Sequence, residues 1–225
     1  MIKNLKHILF DLDGTLTDPY LGISRCIVHA IEKMGCSEKL PSDLRWCIGP
    51  PLSYSFEEIL QTKCSKTTAT AVRLYRERFS TIGLFENEIY PGIKELLTEL
   101  KSQSIEIHLA TSKPKVYASQ ILDHFELSQY FSNAFGSNLD GTLCDKSDLL
   151  AHAISTAQID SQTAIMVGDR RYDIEGGKSH NVTTIAVEYG YGNKEELIEA
   201  KPDATASSVA DLRALLLGQN NSLKF

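Results

Sequence analysis

The sequence of 225 residues contains only five cysteines, an odd number without any Cys-x-x-Cys spacing. A disulfide framework or a structural zinc site requires paired cysteines, so this scarcity predicts reduced thiols. The sequence also lacks a run of about 18 apolar residues, the length that crosses a bilayer. Its first apolar run, at residues 8–10, is too short for a secretory signal. We therefore expect a cytoplasmic protein without a membrane segment.

Basic residues are in deficit. The chain has 23 Lys and Arg against 29 Asp and Glu, which gives a net charge of −6 with histidine neutral. A protein whose main partner is a nucleic acid or an anionic membrane usually carries the opposite balance. We therefore expect neither partner. The content of 42% hydrophobic and 23% charged residues is typical of a globular protein.

Short apolar runs alternate with helical patterns through most of the chain. Strands are predicted at residues 7–10, 105–110, 131–135, 164–167 and 183–187. Helices are predicted at residues 93–100, 115–125, 147–157 and 194–200. This alternation favours an α/β fold, a Rossmann-like core in which a parallel sheet is flanked by helices.

Residues 17–83 interrupt the alternation, because they contain helical patterns and no convincing strand. Helices are predicted here at residues 21–34, 42–47, 53–60 and 67–79. We predict a catalytic core formed by residues 1–16 and 84–225, and a small all-helical cap domain, residues 17–83, inserted after the first strand. The mostly polar tail, residues 219–225, is expected to fray.

Two acids, Asp11 and Asp13, follow the first predicted strand. Side chains at i and i+2 of an extended segment share a face, and ligands of parallel sheets bind at the carboxyl edge. Both acids could therefore address one site. An ordinary Asp-Gly turn is the simpler interpretation. A calcium loop is excluded, because glycine falls at its fourth position, Gly14, and the twelfth position is Gly22 where a glutamate is needed.

Two further segments could address an anion. Thr111 and Ser112 end a predicted strand just before a helix, where they offer hydroxyl and backbone N–H groups to a phosphate or simply cap the helix. Lys146 opens a later helix and could place its charge on a phosphate, although an isolated lysine more often lies on the surface.

A second pair of acids, Asp169 and Asp173, follows the fourth predicted strand through Gly168. Two carboxylates near a strand end suit Mg²⁺, a hard cation that prefers oxygen ligands. The alternative is a solvated acidic loop neutralised by Arg170 and Arg171. The six histidines show no metal-ligand spacing along the sequence.

Taken in order, these motifs resemble the haloacid dehalogenase superfamily of phosphotransferases. They are Asp-Leu-Asp-Gly-Thr at 11–15, Ala-Thr-Ser at 110–112, Lys146, and Gly-Asp-Arg-Arg-Tyr-Asp at 168–173. The resemblance covers nearly the whole chain, and the helical insertion is similar to the cap of the subgroup that contains phosphoglycolate phosphatases. It implies a Mg²⁺-dependent phosphatase that hydrolyses a small-molecule phosphomonoester. We expect the protein to be a monomer or a homodimer.

The resemblance assigns catalytic and metal-binding roles to the acids. Asp11 would be the nucleophile that forms an aspartyl-phosphate. Asp13 would be the general acid for the leaving alcohol and then the general base for water. Mg²⁺ would be held by Asp11, the backbone carbonyl of Asp13 and Asp169, with Asp173 in support.

The same resemblance assigns phosphate contacts. Thr111 and Lys146 would neutralise the oxygens of the transferring phosphoryl group, which is where most of the catalysis of phosphoryl transfer lies. Ser112 would join them at the phosphate, with Lys113 in support. The motif around Lys146 departs from many relatives, since Ser147 follows the lysine where they have proline.

Several alternatives stay open. Asp13 disfavours dehalogenation and phosphonate hydrolysis, which need no acid at that position, but a 5'-nucleotidase or a phosphosugar mutase would keep it. In the cap, Arg45 and the Gly49-Pro50-Pro51 loop could contact substrate or be an exposed side chain and a rigid turn. The Tyr-Gly-Tyr-Gly run at 189–192 is expected near the site without an assigned role.

Overall fold

The computed structural model describes residues 5–218, so the predicted fraying of residues 219–225 lies outside the described part of the chain. The chain divides into two compact units. One comprises Met1–Asp18 and Ile89–Phe225, and the other comprises Pro19–Glu88. The predicted boundaries, at residues 16/17 and 83/84, fall two and five residues before these divisions. Among the described residues, no helix is long and apolar enough to cross a membrane.

The first unit is built on a six-stranded parallel sheet. Its strands are β1 (His7–Phe10), β4 (Glu106–Pro114), β5 (Phe131–Ser137), β6 (Ala164–Gly168), β7 (Thr183–Val187) and β8 (Ala204–Ala206). Their order in the sheet is β5-β4-β1-β6-β7-β8. Phe10, the last residue of β1, pairs in register with Leu109 of β4 and Val167 of β6. The carboxyl ends of these central strands therefore meet at one edge.

Helices flank this sheet, which confirms the predicted α/β class. They are α4 (Ile93–Ser102), α5 (Lys115–His124), α6 (Lys146–Ala157), α7 (Arg171–Ser179), α8 (Lys194–Ala200) and α9 (Val209–Leu216). Leu9 and Met166 of the sheet share a buried cluster with Leu149 and Leu150 of α6. Each such side chain contributes about 1.5–3 kcal/mol on burial, so this packing fixes α6 against the strands that carry the acids.

The second unit is helical, with α1 (Tyr20–Lys33), α2 (Leu52–Leu60) and α3 (Ser65–Arg78). Its apolar residues at helical spacing, such as Ile23, Ile27 and Ile31 of α1, are buried. Two short strands, β2 (Thr17–Asp18) and β3 (Glu88–Ile89), form a separate two-stranded sheet where the chain passes between the units.

Some predicted elements are wrong or missing. The helix predicted at 42–47 is only a 3₁₀ turn, Arg45–Cys47. Gly49, with a φ of +105°, and Pro50 then prevent the turn from continuing as an α-helix. The strands β2, β3 and β8 and the helices α7 and α9 were not predicted. In contrast, the cap of α8 is confirmed, since the Asn193 side chain accepts a hydrogen bond from the backbone N–H of Glu196.

Candidate active site

Asp11 and Asp13 lie directly beyond β1, at the carboxyl edge of the sheet. The backbone N–H of Asp11 still donates to the carbonyl of Val167, at 2.9 Å, so the strand pairing fixes the position of Asp11. The chain then turns at Gly14, whose φ of +83° favours glycine. A Cβ atom at Gly14 would lie 2.2 Å from Oδ2 of Asp169. Glycine is therefore required both for the turn and for the close approach of that acid.

Lys146 occupies the middle of the acidic group. Its Nζ lies 2.9 Å from Oδ1 of Asp11 and 2.7 Å from Oδ1 of Asp173, and it also donates to the carbonyl of Ala110 at 2.9 Å. The side chain is only 4% exposed, so Lys146 is not the surface lysine of the alternative interpretation. Burial alone lowers the pKa of this ammonium, but the charges of Asp11 and Asp173 outweigh it and raise the pKa.

Asp169 and Asp173 are also buried, which excludes the solvated acidic loop. Asp169 follows β6, and its carboxylate accepts hydrogen bonds from the hydroxyl of Thr15 and from the backbone N–H of Tyr191. Burial, followed by the charges of Asp11 and Asp173, raises the pKa of Asp169 well above its usual range. The guanidinium of Arg170 pairs with Glu196 at 2.9 Å, and its charge offsets the rise in the pKa of Asp169 only in part.

Asp13 is paired with Lys113, a residue that the sequence predicted only in a supporting role. Nζ of Lys113 lies 2.8 Å from Oδ2 of Asp13, with the lysine side chain 6% exposed. The other carboxylate oxygen, Oδ1, is buried and has no hydrogen-bond partner among residues 5–218. Burial raises the pKa of Asp13, and the neighbouring Lys113 opposes that increase.

Thr111 and Ser112 are not at a helix start, contrary to one interpretation of the sequence. β4 continues through them to Pro114, which pairs with Ser137 of β5, and α5 begins only at Lys115. The hydroxyl of Thr111 accepts a hydrogen bond from the backbone N–H of Lys113, at 3.3 Å. Thr111 follows Ala110, whose carbonyl accepts the hydrogen bond from Lys146, so Thr111 lies next to the residue that holds this lysine.

The loop of residues 189–192, which had no predicted role, packs against Asp169. The backbone N–H of Tyr191 donates to Oδ2 of Asp169 at 2.8 Å, and the hydroxyl of Tyr189 donates to the carbonyl of Thr15 at 3.0 Å. A Cβ atom at Gly190 would lie 2.3 Å from Cβ of Asp169, and one at Gly192 would lie 1.9 Å from its carbonyl oxygen. The two glycines therefore let this loop pack directly on Asp169 and orient it.

The acids form a group that could hold a metal ion. Carboxylate oxygens of Asp11, Asp169 and Asp173 all lie within 4.8 Å of one another. The surrounding site contains four carboxylates and two ammonium groups, those of Asp11, Asp13, Asp169, Asp173, Lys113 and Lys146. Ionised, the site carries an excess of two negative charges in a buried position, and its donors are hard oxygens. This donor set and this charge fit a divalent hard cation.

The parallel sheet thus collects aspartates and a buried lysine at its carboxyl edge, and these acids could hold a metal ion. The chain matches the haloacid dehalogenase-like hydrolase family over residues 8–187 and belongs to that family. The predicted resemblance is thereby confirmed.

Relatives with assigned activities match over most of their length. A 5'-nucleotidase of Pseudomonas aeruginosa is 38% identical over 93% of this chain and 95% of its own. The tyrosine-protein kinase PtkA of Mycobacterium tuberculosis is 31% identical over 93% of this chain and 72% of its own. A phosphoglycolate phosphatase of Aquifex aeolicus is 28% identical over 94% of this chain and 97% of its own.

A solved structure agrees with the fold. A predicted phosphatase from Clostridium acetobutylicum superposes with a TM-score of 0.90 at 39% identity, over 96% of this chain and all of that one. Together with the family, these phosphatases confirm the predicted enzyme class, a hydrolase of phosphomonoesters related to the phosphoglycolate phosphatases.

Proposed function

We propose that this protein is a Mg²⁺-dependent phosphatase that hydrolyses a small-molecule phosphomonoester through an aspartyl-phosphate on Asp11. The observation that carries the proposal is the placement of Asp11. Its carboxylate lies at the carboxyl edge of the sheet, 2.9 Å from the buried ammonium of Lys146 and among the carboxylates of Asp169 and Asp173. A carboxylate held in this way can act as a nucleophile.

The reaction has two displacements at phosphorus. An oxygen of Asp11 attacks the phosphorus and the bond to the substrate oxygen breaks, while Asp13 gives a proton to the departing alcohol. Asp13 then takes a proton from a water molecule as that water attacks the same phosphorus, which releases phosphate and restores Asp11. Lys113, 2.8 Å from Asp13, holds the acid in place for both proton transfers.

Charge stabilisation comes from residues around these two acids. Lys146 carries its charge next to Asp11, and Thr111 and Ser112 lie on the strand whose Ala110 carbonyl binds that lysine. We assign these three residues to the phosphoryl oxygens, where positioned charge and hydrogen bonds accelerate phosphoryl transfer most.

The carboxylates of Asp11 and Asp169 and the backbone carbonyl of Asp13 would hold the Mg²⁺ ion, with Asp173 in support. Once bound, Mg²⁺ supplies positive charge that offsets the repulsion between an anionic nucleophile and an anionic phosphate. The Tyr191 backbone N–H that binds Asp169 fixes the orientation of one ligand from outside.

Two substrate classes are in competition. Phosphoglycolate follows from the subgroup, whereas a nucleoside 5'-monophosphate is favoured by the 38% identity to a 5'-nucleotidase, against 28% to the phosphoglycolate phosphatase of Aquifex aeolicus. A phosphosugar mutase remains the alternative outside the hydrolases. A cytoplasmic location and a monomeric or homodimeric state stay predictions.

The test is phosphate release from a panel of esters, measured with Mg²⁺ and with EDTA. The panel contains phosphoglycolate, nucleoside 5'-monophosphates, sugar phosphates and an aryl phosphate. We expect Mg²⁺-dependent release with a clear preference for one ester, and a preference for nucleoside monophosphates decides for the nucleotidase.

The matched variant is Asp11→Asn, which keeps the size of the side chain and removes its charge. We expect it to fold and to release no phosphate above background. If the panel gives no release at all, activity that requires a bisphosphate primer would favour the mutase. Wild-type release by Asp11→Asn contradicts the proposed nucleophile.

A further inference from the structure

A second cluster of metal-binding side chains lies at the opposite edge of the sheet, where the strands begin. His7 and Glu106 are the first residues of β1 and β4 and are paired in register, and His108 follows two residues along β4. The parallel pairing of the strands brings these residues together although their spacing along the sequence gave no such indication. One ligand atom from each lies within 4.8 Å of the other two.

The distances between these atoms suit a transition-metal ion. Nδ1 of His7 lies 3.3 Å from Nε2 of His108. Two imidazole nitrogens that bind one tetrahedral ion at about 2.0–2.1 Å are separated by about 3.3–3.4 Å. Oε2 of Glu106 lies 3.9 Å from Nε2 of His108. The Glu106 side chain is 57% exposed, so a change of its rotamer can bring the carboxylate closer.

The surroundings of His108 favour ligation. The ring is fully buried, and its Nδ1 lies 3.3 Å from the side-chain nitrogen of Asn133. If the amide is turned, its oxygen accepts the Nδ1–H, which leaves Nε2 to bind a metal.

A direct hydrogen bond between the two rings is the competing interpretation. The ring centroids are 5.6 Å apart, so the two nitrogens face each other nearly head-on. An N–H···N bond satisfies this arrangement without any ion. For both lone pairs to converge on one metal, the ring of His7 must rotate, and His7 is only half-buried at the start of its strand.

We propose that His7, Glu106 and His108 bind one late first-row transition-metal ion such as Zn²⁺, with water at the remaining position. Two imidazoles and one carboxylate suit this class of ion, whereas the all-carboxylate cluster at the other edge suits Mg²⁺. The bound ion links the first residues of β1 and β4. The proposal does not depend on the proposed phosphatase function.

The test is a calorimetric titration of the full chain with Zn²⁺ in a saturating excess of Mg²⁺. Glu106→Gln and His7→Gln each remove one ligand at an accessible position, and His124→Gln is the matched control because His124 is exposed on another helix. Asp169→Asn removes a carboxylate from the other cluster. Thermal unfolding with and without Zn²⁺ gives a second readout.

We expect one Zn²⁺ per chain in the wild type, with a higher unfolding temperature. His7→Gln and Glu106→Gln should each weaken Zn²⁺ binding at least about tenfold, because mutation of even a residue that hydrogen-bonds to a metal ligand lowers the metal affinity by that factor. His124→Gln and Asp169→Asn should retain the binding. Absence of Zn²⁺ binding, or equal affinity in the wild type and His7→Gln, overturns the proposal and leaves the two rings as a hydrogen-bonded pair.

Discussion

Replacing Lys146 with methionine tests how the acidic site is held together. Methionine keeps the length and the packing of the lysine stem but removes the ammonium, which binds Asp11 at 2.9 Å, Asp173 at 2.7 Å and the carbonyl of Ala110 at 2.9 Å. The Lys146 side chain is 4% exposed, and those of Asp11 and Asp173 are 11% and 2% exposed. Water therefore cannot easily solvate the carboxylates of Asp11 and Asp173 once the ammonium is removed.

The magnitude follows from this burial. Removing one partner of a buried ion pair costs about 3–5 kcal/mol, because the remaining charge has no compensation. Two carboxylates lose their counter-charge in this variant, so we expect a value toward the upper end. For a chain of this size each kcal/mol lowers the unfolding temperature by about 2–4 °C, so a cost of about 5 kcal/mol predicts a decrease of about 10–20 °C.

The assay is thermal unfolding followed by circular dichroism in a buffer with EDTA. Lys63→Met is the matched control, since the Lys63 side chain is 78% exposed although its Nζ lies 3.2 Å from Glu57. We expect Lys146→Met to shift the midpoint strongly and Lys63→Met to leave it nearly unchanged. Equal midpoints for the two variants refute the claim that Lys146 neutralises the buried acids.

Two further predictions concern a loop and the cysteines. In Gly190→Ala the new Cβ must displace Asp169, so we expect the Mg²⁺ concentration for half-maximal activity to rise at least about tenfold. Gly35→Ala adds its carbon where no atom lies within 4 Å, so it should keep the wild-type Mg²⁺ dependence, although the φ of +70° at Gly35 makes alanine less stable there. Hydrogen bonds from the residues after it lower the pKa of the exposed Cys64, whereas burial raises the pKa of Cys47 to about 12. Iodoacetamide at pH 8 should therefore modify Cys64 in the native protein and Cys47 only after unfolding, as read by peptide mass spectrometry, and early modification of Cys47 contradicts this assignment.

The residues at strand ends could be predicted because their signal is local. β1 is an apolar run bounded by a turn, so its limits at His7 and Phe10 are confirmed, and the acids beyond it necessarily lie at the carboxyl edge. The partner of Asp13 was only partly foreseen. Lys113 was expected near substrate, and only the continuation of β4 to Pro114 explains its ion pair with Asp13.

Helix α7 could not be predicted because its sequence disfavours a helix. Gly176 and Gly177 lower the helix propensity by about 1 kcal/mol each relative to alanine. The structure shows why they are tolerated. A Cβ atom at Gly177 would lie 2.6 Å from Cγ2 of Thr184, and one at Gly176 would lie 3.0 Å from Cγ of Lys146. Close packing on β7 and on Lys146 therefore overrides propensity, and that contact is visible only in three dimensions.

The pairing of strands explains the other omission. His7 and His108 are separated by 101 residues, and no spacing rule joins them. Only the register between β1 and β4 places the two rings together. Long-range pairing of this kind also explains why the loop at residues 189–192 had no predicted role, since its contact with Asp169 joins the segments that follow β6 and β7.

The most direct test of the proposed mechanism is to trap the covalent intermediate. The enzyme is mixed with its preferred ester and Mg²⁺, quenched in acid within the first turnover and treated with borohydride, which reduces an aspartyl-phosphate to homoserine. Peptide mass spectrometry then locates the change. We predict homoserine at position 11 in the wild type, and none in Asp11→Asn or without substrate. Rapid phosphate release with an unmodified Asp11, or with homoserine at Asp13 or Asp169, contradicts the assignment of Asp11 as the nucleophile.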